Sequence, residues 1–367
     1  MNRNLRYLFI ALGIAFVGFV LWYFKSIVAY ILISSVLALI GRPIAGFLNK
    51  LHYKKFRVPN ALSALLTVTF LWTMILIFFR IFVPLVAHQA SELSSIDAES
   101  VMNNLRDPIQ KVEAFFIKYN ISSDNNQLMD QYLTEKVMSI VNVSVLSNIF
   151  GSIAGVLGNV FIAAFSISFI TFFFLKDRGL LNDGILLFVP DKFLEKTEHI
   201  LKSVKKLLTR YFIGIIVQIS GIILLVSVGL TIIGVDFSDA LVIGLVVGIM
   251  NIIPYLGPVI GASLGLVLGL ATNLDLPFYS ELLPLLGYMA IVFVIVQVID
   301  NVVFQPFIYS SSVNAHPLEI FLVIMISGSM FGITGMILAI PGYTILRVIA
   351  KEFFNNLKVV KKLTEKI

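Results

Sequence analysis

From Tyr211 to Leu346 the chain carries no lysine and no arginine, 136 residues in a row (211–346). A stretch of that length without a cation has to hold the interior of a membrane. The composition agrees: 58% of the 367 residues are hydrophobic and 13% charged, against roughly 45–50% and about 25% in soluble domains. With a mean hydropathy of +0.96 there is too little polar surface to wet a globule, which excludes a soluble enzyme. Cysteine is absent, so disulfides, thiolate metal sites and cysteine nucleophiles are excluded too. The formal net charge of +6 sits in short basic blocks between apolar runs, the pattern of membrane flanks and not of a nucleic-acid surface.

A bilayer core of about 30 Å needs roughly 20 apolar residues per helix. Uncharged runs on that scale cover Leu8–Phe24, Ala61–Phe79 (continuing past Arg80 to Val86), Val156–Leu175 and Tyr211–Val235, while Ile27–Ile40 is short for a full span. Arg80 reads as an arginine whose long stem snorkels toward the interface. Three further segments follow: Ala240–Thr272, broken by Pro254, Gly257 and Pro258; Leu283–Tyr309, which carries polar residues; and Leu318–Leu346, broken by Gly328, Gly332, Gly335 and Pro341.

Charge orients these runs. Arg42, Lys50, Lys54, Lys55 and Arg57 place a linker, 41–60, in the cytoplasm, as do eight bases from Lys176 to Arg210 and a basic tail, 351–367. The segment 88–150 has eight acids against four bases and is expected outside. Both termini are then cytoplasmic, which requires 240–272 and 318–346 each to enter and return as a hairpin. The expected fold is all-α and polytopic, with about eight membrane segments including the two Pro/Gly-broken hairpins, plus interfacial amphipathic helices. Its parts are 1–87, N-terminal membrane helices; 88–150, an extracytoplasmic amphipathic segment; 151–210, a fourth membrane helix and an interfacial helix; 211–350, the membrane core; and the tail. The interfacial helix is read from Phe193, Ile200, Val204, Leu207, Leu208 and Tyr211 on one face and lysines over the remainder, starting after Pro190 and Asp191.

Polar groups at bilayer depth must be satisfied by protein or by a water-filled cavity, so breaks in helical backbone there mark a path or a site. The run Asn251–Pro258 (NIIPYLGP) lies in the middle of an apolar stretch. Pro254 and Pro258 remove backbone donors and free carbonyls, Gly257 lets the chain turn, and the Asn251 amide joins them as a candidate contact for a cation or a hydroxyl-bearing solute. A packed proline kink without a ligand is the alternative. Gln297, Asn301 and Gln305 recur at i, i+4 and i+8 and share a helical face, with Asp300 beside them. A carboxylate at the centre of a membrane helix costs about 2.5–3.5 kcal/mol on insertion scales. Either this is a polar stripe along a conduit, or the span ends near Asp300 and these groups are solvated. His316 reads as a loop residue at a helix start. Gly328, Gly332, Gly335 and Pro341 serve as hinges or points of close helix packing. No phosphate-loop signature and no H-E-x-x-H pattern occurs, so ATP hydrolysis and zinc proteolysis lack their parts, and no metal or cofactor is expected.

FFFLKDR (Phe172–Arg178), NIIPYLGP, Asp300–Asn301 followed by Gln305 and Pro306, His316–Pro317, and FGITGMILAIP (Phe331–Pro341) together resemble the AI-2E family, also called the PerM family. The resemblance implies a bacterial inner-membrane protein of about eight segments. It also implies export of the small, polar signalling molecule autoinducer-2 by some members and sodium/proton antiport by others. On that likeness Tyr255 and Pro306 join Asn251, Pro254, Gly257, Pro258, Gln297, Asp300, Asn301 and Gln305 as pathway residues. Where the family often has Gln after the glycine that opens its fifth helix, Ile215 follows Gly214 here, and the nearest amide is Gln218. The first expectation is a gradient-driven or facilitative exporter whose partners are a small polar solute or cation and the bilayer. Self-association into a homo-oligomer is plausible from apolar faces all round several helices. A cation/proton antiporter and a membrane scaffold that binds a partner through 88–150 remain the alternatives.

Overall fold

In the computed structural model the described residues are 12–13, 15–16, 18–20, 22–50, 52–53, 56–95, 157–177, 179–273, 276–306, 308, 316–354 and 360. Residues 96–150 of the segment 88–150 expected outside, the start of the first run and most of the basic tail lie outside them. Among the described residues the elements are helical apart from one two-residue antiparallel pairing, β1 (His52–Tyr53) with β2 (Phe56–Arg57), in register His52 with Arg57. Among the described residues five helices are long and apolar enough to span a bilayer, and three shorter apolar ones accompany them. This is the architecture of an all-α polytopic membrane protein. Two compact units divide it, one with its described parts in 1–75 and 155–212, the other in 76–154 and 213–367.

The first unit rests on α1 (Lys25–Lys50) packed against α3 (Leu157–Lys176), with the start of α2 (Asn60–Ser95) beside them. Its contacts are made by small side chains: Ala38, Ala45 and Ala64 are buried with Val68, Phe174 and Leu175. Gly41 lies so close to α2 and α3 that a Cβ there would sit 2.9 Å from the Thr67 methyl and 3.4 Å from Leu175. Small residues let helix backbones approach where lipid offers no hydrophobic drive. Hydroxyls add the glue: Ser34 Oγ donates to the Ile167 carbonyl at 3.1 Å, and Trp72 Nε1 donates to Ser168 Oγ at 2.6 Å.

Two boundaries differ from the sequence reading. The run 27–40, judged short, belongs to a 26-residue helix that continues through Gly41, Arg42 and Pro43 to Lys50, so the linker of 41–60 is largely helix. A charge ends an apolar run but does not end a helix. For the same reason the interfacial helix and the fifth membrane run are one element, α5 (Leu194–Ile232), 39 residues that continue through Lys205, Lys206 and Arg210. No proline interrupts it. The short α4 (Leu180–Leu186) and a 3₁₀ turn (Asp191–Phe193) lead into it.

In the second unit the first hairpin is α6 (Phe237–Met250) packed on α7 (Leu256–Ala271), opened by Asp236, whose carboxylate accepts the Ser238 N–H at 2.8 Å as an N-cap. At 14 and 16 residues both arms are shorter than a full crossing. A π-helical turn (Phe278–Leu282) then enters α8 (Leu283–Ile299), which ends in a second π-turn, Asp300–Phe304. The core gathers Ile222, Val226 and Leu230 of α5, Ile243 and Val247 of α6, and Met289 and Phe293 of α8.

The second hairpin is α9 (Pro317–Phe354), broken at Gly332, where φ is 62° and ψ −147°. That conformation is essentially open to glycine alone. Tyr343 Oη donates to Glu319 Oε2 at 2.9 Å. Twenty-four residues along a continuous helix would hold them about 36 Å apart, so the chain reverses between them. His316 caps the first arm, its Nδ1 accepting the Leu318 N–H at 3.2 Å, as expected of a helix-start residue.

Candidate functional site

The break in the first hairpin is a tight, hydrogen-bonded turn. Asn251 N–H donates to the Val247 carbonyl, Ile253 to Met250, and Gly257 to Ile253 at 2.8 Å. Leu256 N–H donates to the Pro254 carbonyl at 2.8 Å, a three-residue ring centred on Tyr255, whose φ is 66° and ψ −48°. This is the γ-turn of the strained hand, rare for any residue and rarer for one with a side chain. The carbonyls of Met250, Ile253 and Pro254, expected to be free for a cation, each already accept a hydrogen bond. What the turn presents instead is the buried Asn251 side chain and the Tyr255 ring, which meets Phe321 of the second hairpin edge-on at 6.2 Å.

Backbone strain of this kind costs of order 1–3 kcal/mol, and an edge-on ring pair returns roughly 0.5–1.5 kcal/mol. Tyr255→Ala keeps the strain and loses the ring, whereas Tyr255→Gly loses the ring but relieves the strain. The glycine variant is therefore expected to be the more stable by about 1 kcal/mol, read as the higher Tm of the two. The opposite order would mean that Tyr255 is not strained.

Beside the turn a cavity of about 360 Å³ opens between α5, α6, α7 and α8. Its walls are mostly apolar, Val247, Ala262 and Phe293 among them, and its polar groups are Asn251, Ser263 and Gln297. Pro258 lines it as well, and Pro254 is buried in the turn.

From Gln297 a chain of hydrogen bonds leaves the cavity. Gln297 Nε2 donates to Asn301 Oδ1 at 3.0 Å; Gln305 Nε2 donates to the same oxygen at 2.8 Å and to Asp300 Oδ2 at 2.9 Å. Asp300 is 1% exposed and accepts a second bond on Oδ1, from Gln218 Nε2 of α5 at 2.6 Å. The stripe Gln297–Asn301–Gln305 thus forms as spaced, but Asp300 faces the other way, into protein, and is not solvated. The π-turn explains its pairing with Gln305. One extra residue in the turn aligns i with i+5, so the Gln305 backbone N–H reaches the Asp300 carbonyl and its side chain the Asp300 carboxylate.

Gln218 is the site residue that spacing did not single out. It is a lone amide within the apolar run Tyr211–Val235, and that is the signal it leaves. Its helix can approach because Gly214 and Gly221 face α8 and its extension: a Cβ on Gly221 would lie 2.4 Å from Phe304, and one on Gly214 2.7 Å from Ile308. Pro306 is exposed at the end of the π-turn extension. In the second hairpin Gly332 makes the turn, Gly328 and Gly335 let the arms touch, and Pro341 is buried in the second arm.

A broken hairpin, a cavity at its tip and a polar chain running to a buried carboxylate are features of a carrier. Comparison with known proteins decides the family: the sequence model of the AI-2E family transporter matches residues 9–355. The chain belongs to the AI-2E family of transporters. It is 29% identical over 395 aligned positions, covering 99% of this chain and 95% of the relative, to the Bacillus subtilis (strain 168) protein named "Putative transport protein YueF". A second protein of that organism, named "Putative transport protein YrrI", is 24% identical over 207 positions, 56% of each chain. Of the two classes left open by the sequence, carrier and scaffold, the family is one of carriers.

Proposed function

We propose that this transporter exports a small, uncharged, polar solute such as autoinducer-2 across the bacterial cytoplasmic membrane, downhill or driven by a gradient, with both termini in the cytoplasm. The cavity of about 360 Å³ carries the reading. Among the described residues its walls offer amide and hydroxyl groups, from Asn251, Gln297 and Ser263, and no carboxylate, which suits hydroxyl and carbonyl groups of a neutral molecule better than a dehydrated cation. The paired carbonyls of the turn point the same way. Pathway roles fall to Asn251, Gln297, Asn301 and Gln305, with Asp300 anchoring the amide chain through Gln305 and with Pro254, Tyr255, Gly257, Pro258 and Pro306 shaping the backbone around them.

Autoinducer-2 efflux from proteoliposomes tests this. Wild-type protein is expected to speed efflux over empty vesicles, and Gln297→Leu to slow it about fivefold or more, the worth of one neutral hydrogen bond near 1 kcal/mol. No efflux above empty vesicles removes the proposal. The buried Asp300 favours a second reading, cation/proton antiport. Added sodium collapsing a preset pH gradient in the same vesicles, without autoinducer-2 flux, would select it.

A further inference from the structure

We propose that a cation-lined recess in the first unit, distant in sequence from the cavity just described, binds a phosphate-bearing anion. Arg42 and Pro43 of α1 face Lys202, Lys205, Lys206 and Thr209 of α5 across an open space of about 450 Å³. The four α5 residues stand at i, i+3, i+4 and i+7, one continuous stripe of that helix. The stripe lies opposite the face on which Ile200, Leu208 and Tyr211 are buried, so the fold sets α1 against the helix's charged side and not its apolar one.

Four cations converge there, and among the described residues no carboxylate lines the recess. Glu198 pairs with Lys202 at 2.8 Å from one turn before, outside the lining. Like charges at these spacings repel, and Arg42 across the recess adds a fourth cation to them. The Arg42 Nε and Nη1 are shielded from solvent. A guanidinium fork, lysine amines and the Thr209 hydroxyl are the donor set that phosphate oxygens take. Arg42 directly follows the apolar run ending at Ile40 and Gly41, which puts the recess at the level where a membrane helix meets lipid headgroups. An anionic phospholipid headgroup and a soluble phosphate compound share this chemistry, and the test separates them.

The test follows thermal unfolding of the purified full chain in zwitterionic micelles, with short-chain phosphatidylglycerol, inorganic phosphate or chloride added at matched ionic strength. Phosphatidylglycerol is expected to raise Tm by roughly 2–5 °C over chloride. A shift with the lipid alone identifies a headgroup, and an equal shift with inorganic phosphate identifies a soluble phosphoanion; both support the recess as the site. Lys206→Gln, at an exposed position that leaves packing alone, and Arg42→Lys, which keeps charge but loses the fork, are each expected to remove at least half of the shift. Lys196→Gln, on the same helix but outside the recess, is expected to keep it. No shift with either phosphate source overturns the proposal. So does a shift that survives both recess substitutions, or one that Lys196→Gln removes equally. None of these readings depends on transport.

Discussion

Gly257→Ala is expected to open the first hairpin and cost about 3 kcal/mol or more, the upper range for forcing extra volume into a packed contact. A Cβ at Gly257 would lie 2.1 Å from the Met250 carbonyl oxygen and 2.8 Å from the Asn251 Cα. Both are backbone atoms, so no rotamer change relieves the clash; the arms α6 and α7 must part. The turn that strains Tyr255 and positions Asn251 would part with them, so transport should fall along with stability. Gly335→Ala should do the same to the second hairpin, because its Cβ would meet the Ser327 carbonyl at 2.1 Å. Gly287 in α8 is the control, since a Cβ there meets nothing within 4 Å. Alanine at that position removes a flexible residue from a helix interior and is expected to leave stability unchanged or raise it by up to about 1 kcal/mol. Thermal unfolding of the three variants checks the set. A Gly257→Ala protein with wild-type Tm would show that the turn is looser than its distances imply.

Asp300→Asn is expected to fold and yet lose at least about tenfold in flux, whereas Asp300→Ala should lose stability as well. The carboxylate accepts from Gln218 at 2.6 Å and Gln305 at 2.9 Å, and hydrogen bonds to a charged group contribute about 1.5–3 kcal/mol each. Alanine strands the buried Gln218 amide, while Gln305 keeps its bond to Asn301. Asparagine keeps an acceptor and, with Gln218 turned to present its oxygen, re-forms both contacts without charge. Flux and Tm measured together separate the roles: wild-type flux in Asp300→Asn would leave the carboxylate as a tie between α5 and the α8 extension and nothing more. The tie itself is checked by the double variant Gln218→Leu/Asp300→Leu. Removing both partners should cost less than the sum of the two single changes, as expected when each single leaves a buried polar group unpaired.

Much of the architecture could be read in the residues because the bilayer imposes simple rules. The uncharged runs Ala61–Phe79, Tyr211–Val235 and Leu283–Tyr309 fall in helices long and apolar enough to span, and the prolines and glycines of 254–258 and 328–341 predicted chain reversals, which the Glu319–Tyr343 bond and the α6–α7 pairing show. Helix ends were less legible. Arg42 and Arg210 stop hydropathy but not hydrogen bonding, so α1 and α5 run further than their apolar runs.

The site divides along the same line. Sequence alone determined that Gln297, Asn301 and Gln305 share a face, because helical spacing is local and fixed. It also determined that the backbone breaks near Pro254, because proline lacks a donor. Tertiary structure decided that Asp300 turns inward to Gln218, that a π-turn brings Gln305 beneath it, and that Tyr255 rather than a glycine holds the strained angle. It decided too that Arg42 meets the lysines of α5. These depend on which faces two distant helices present to each other, and on how closely Gly214 and Gly221 let them approach, quantities that no spacing within a single segment encodes.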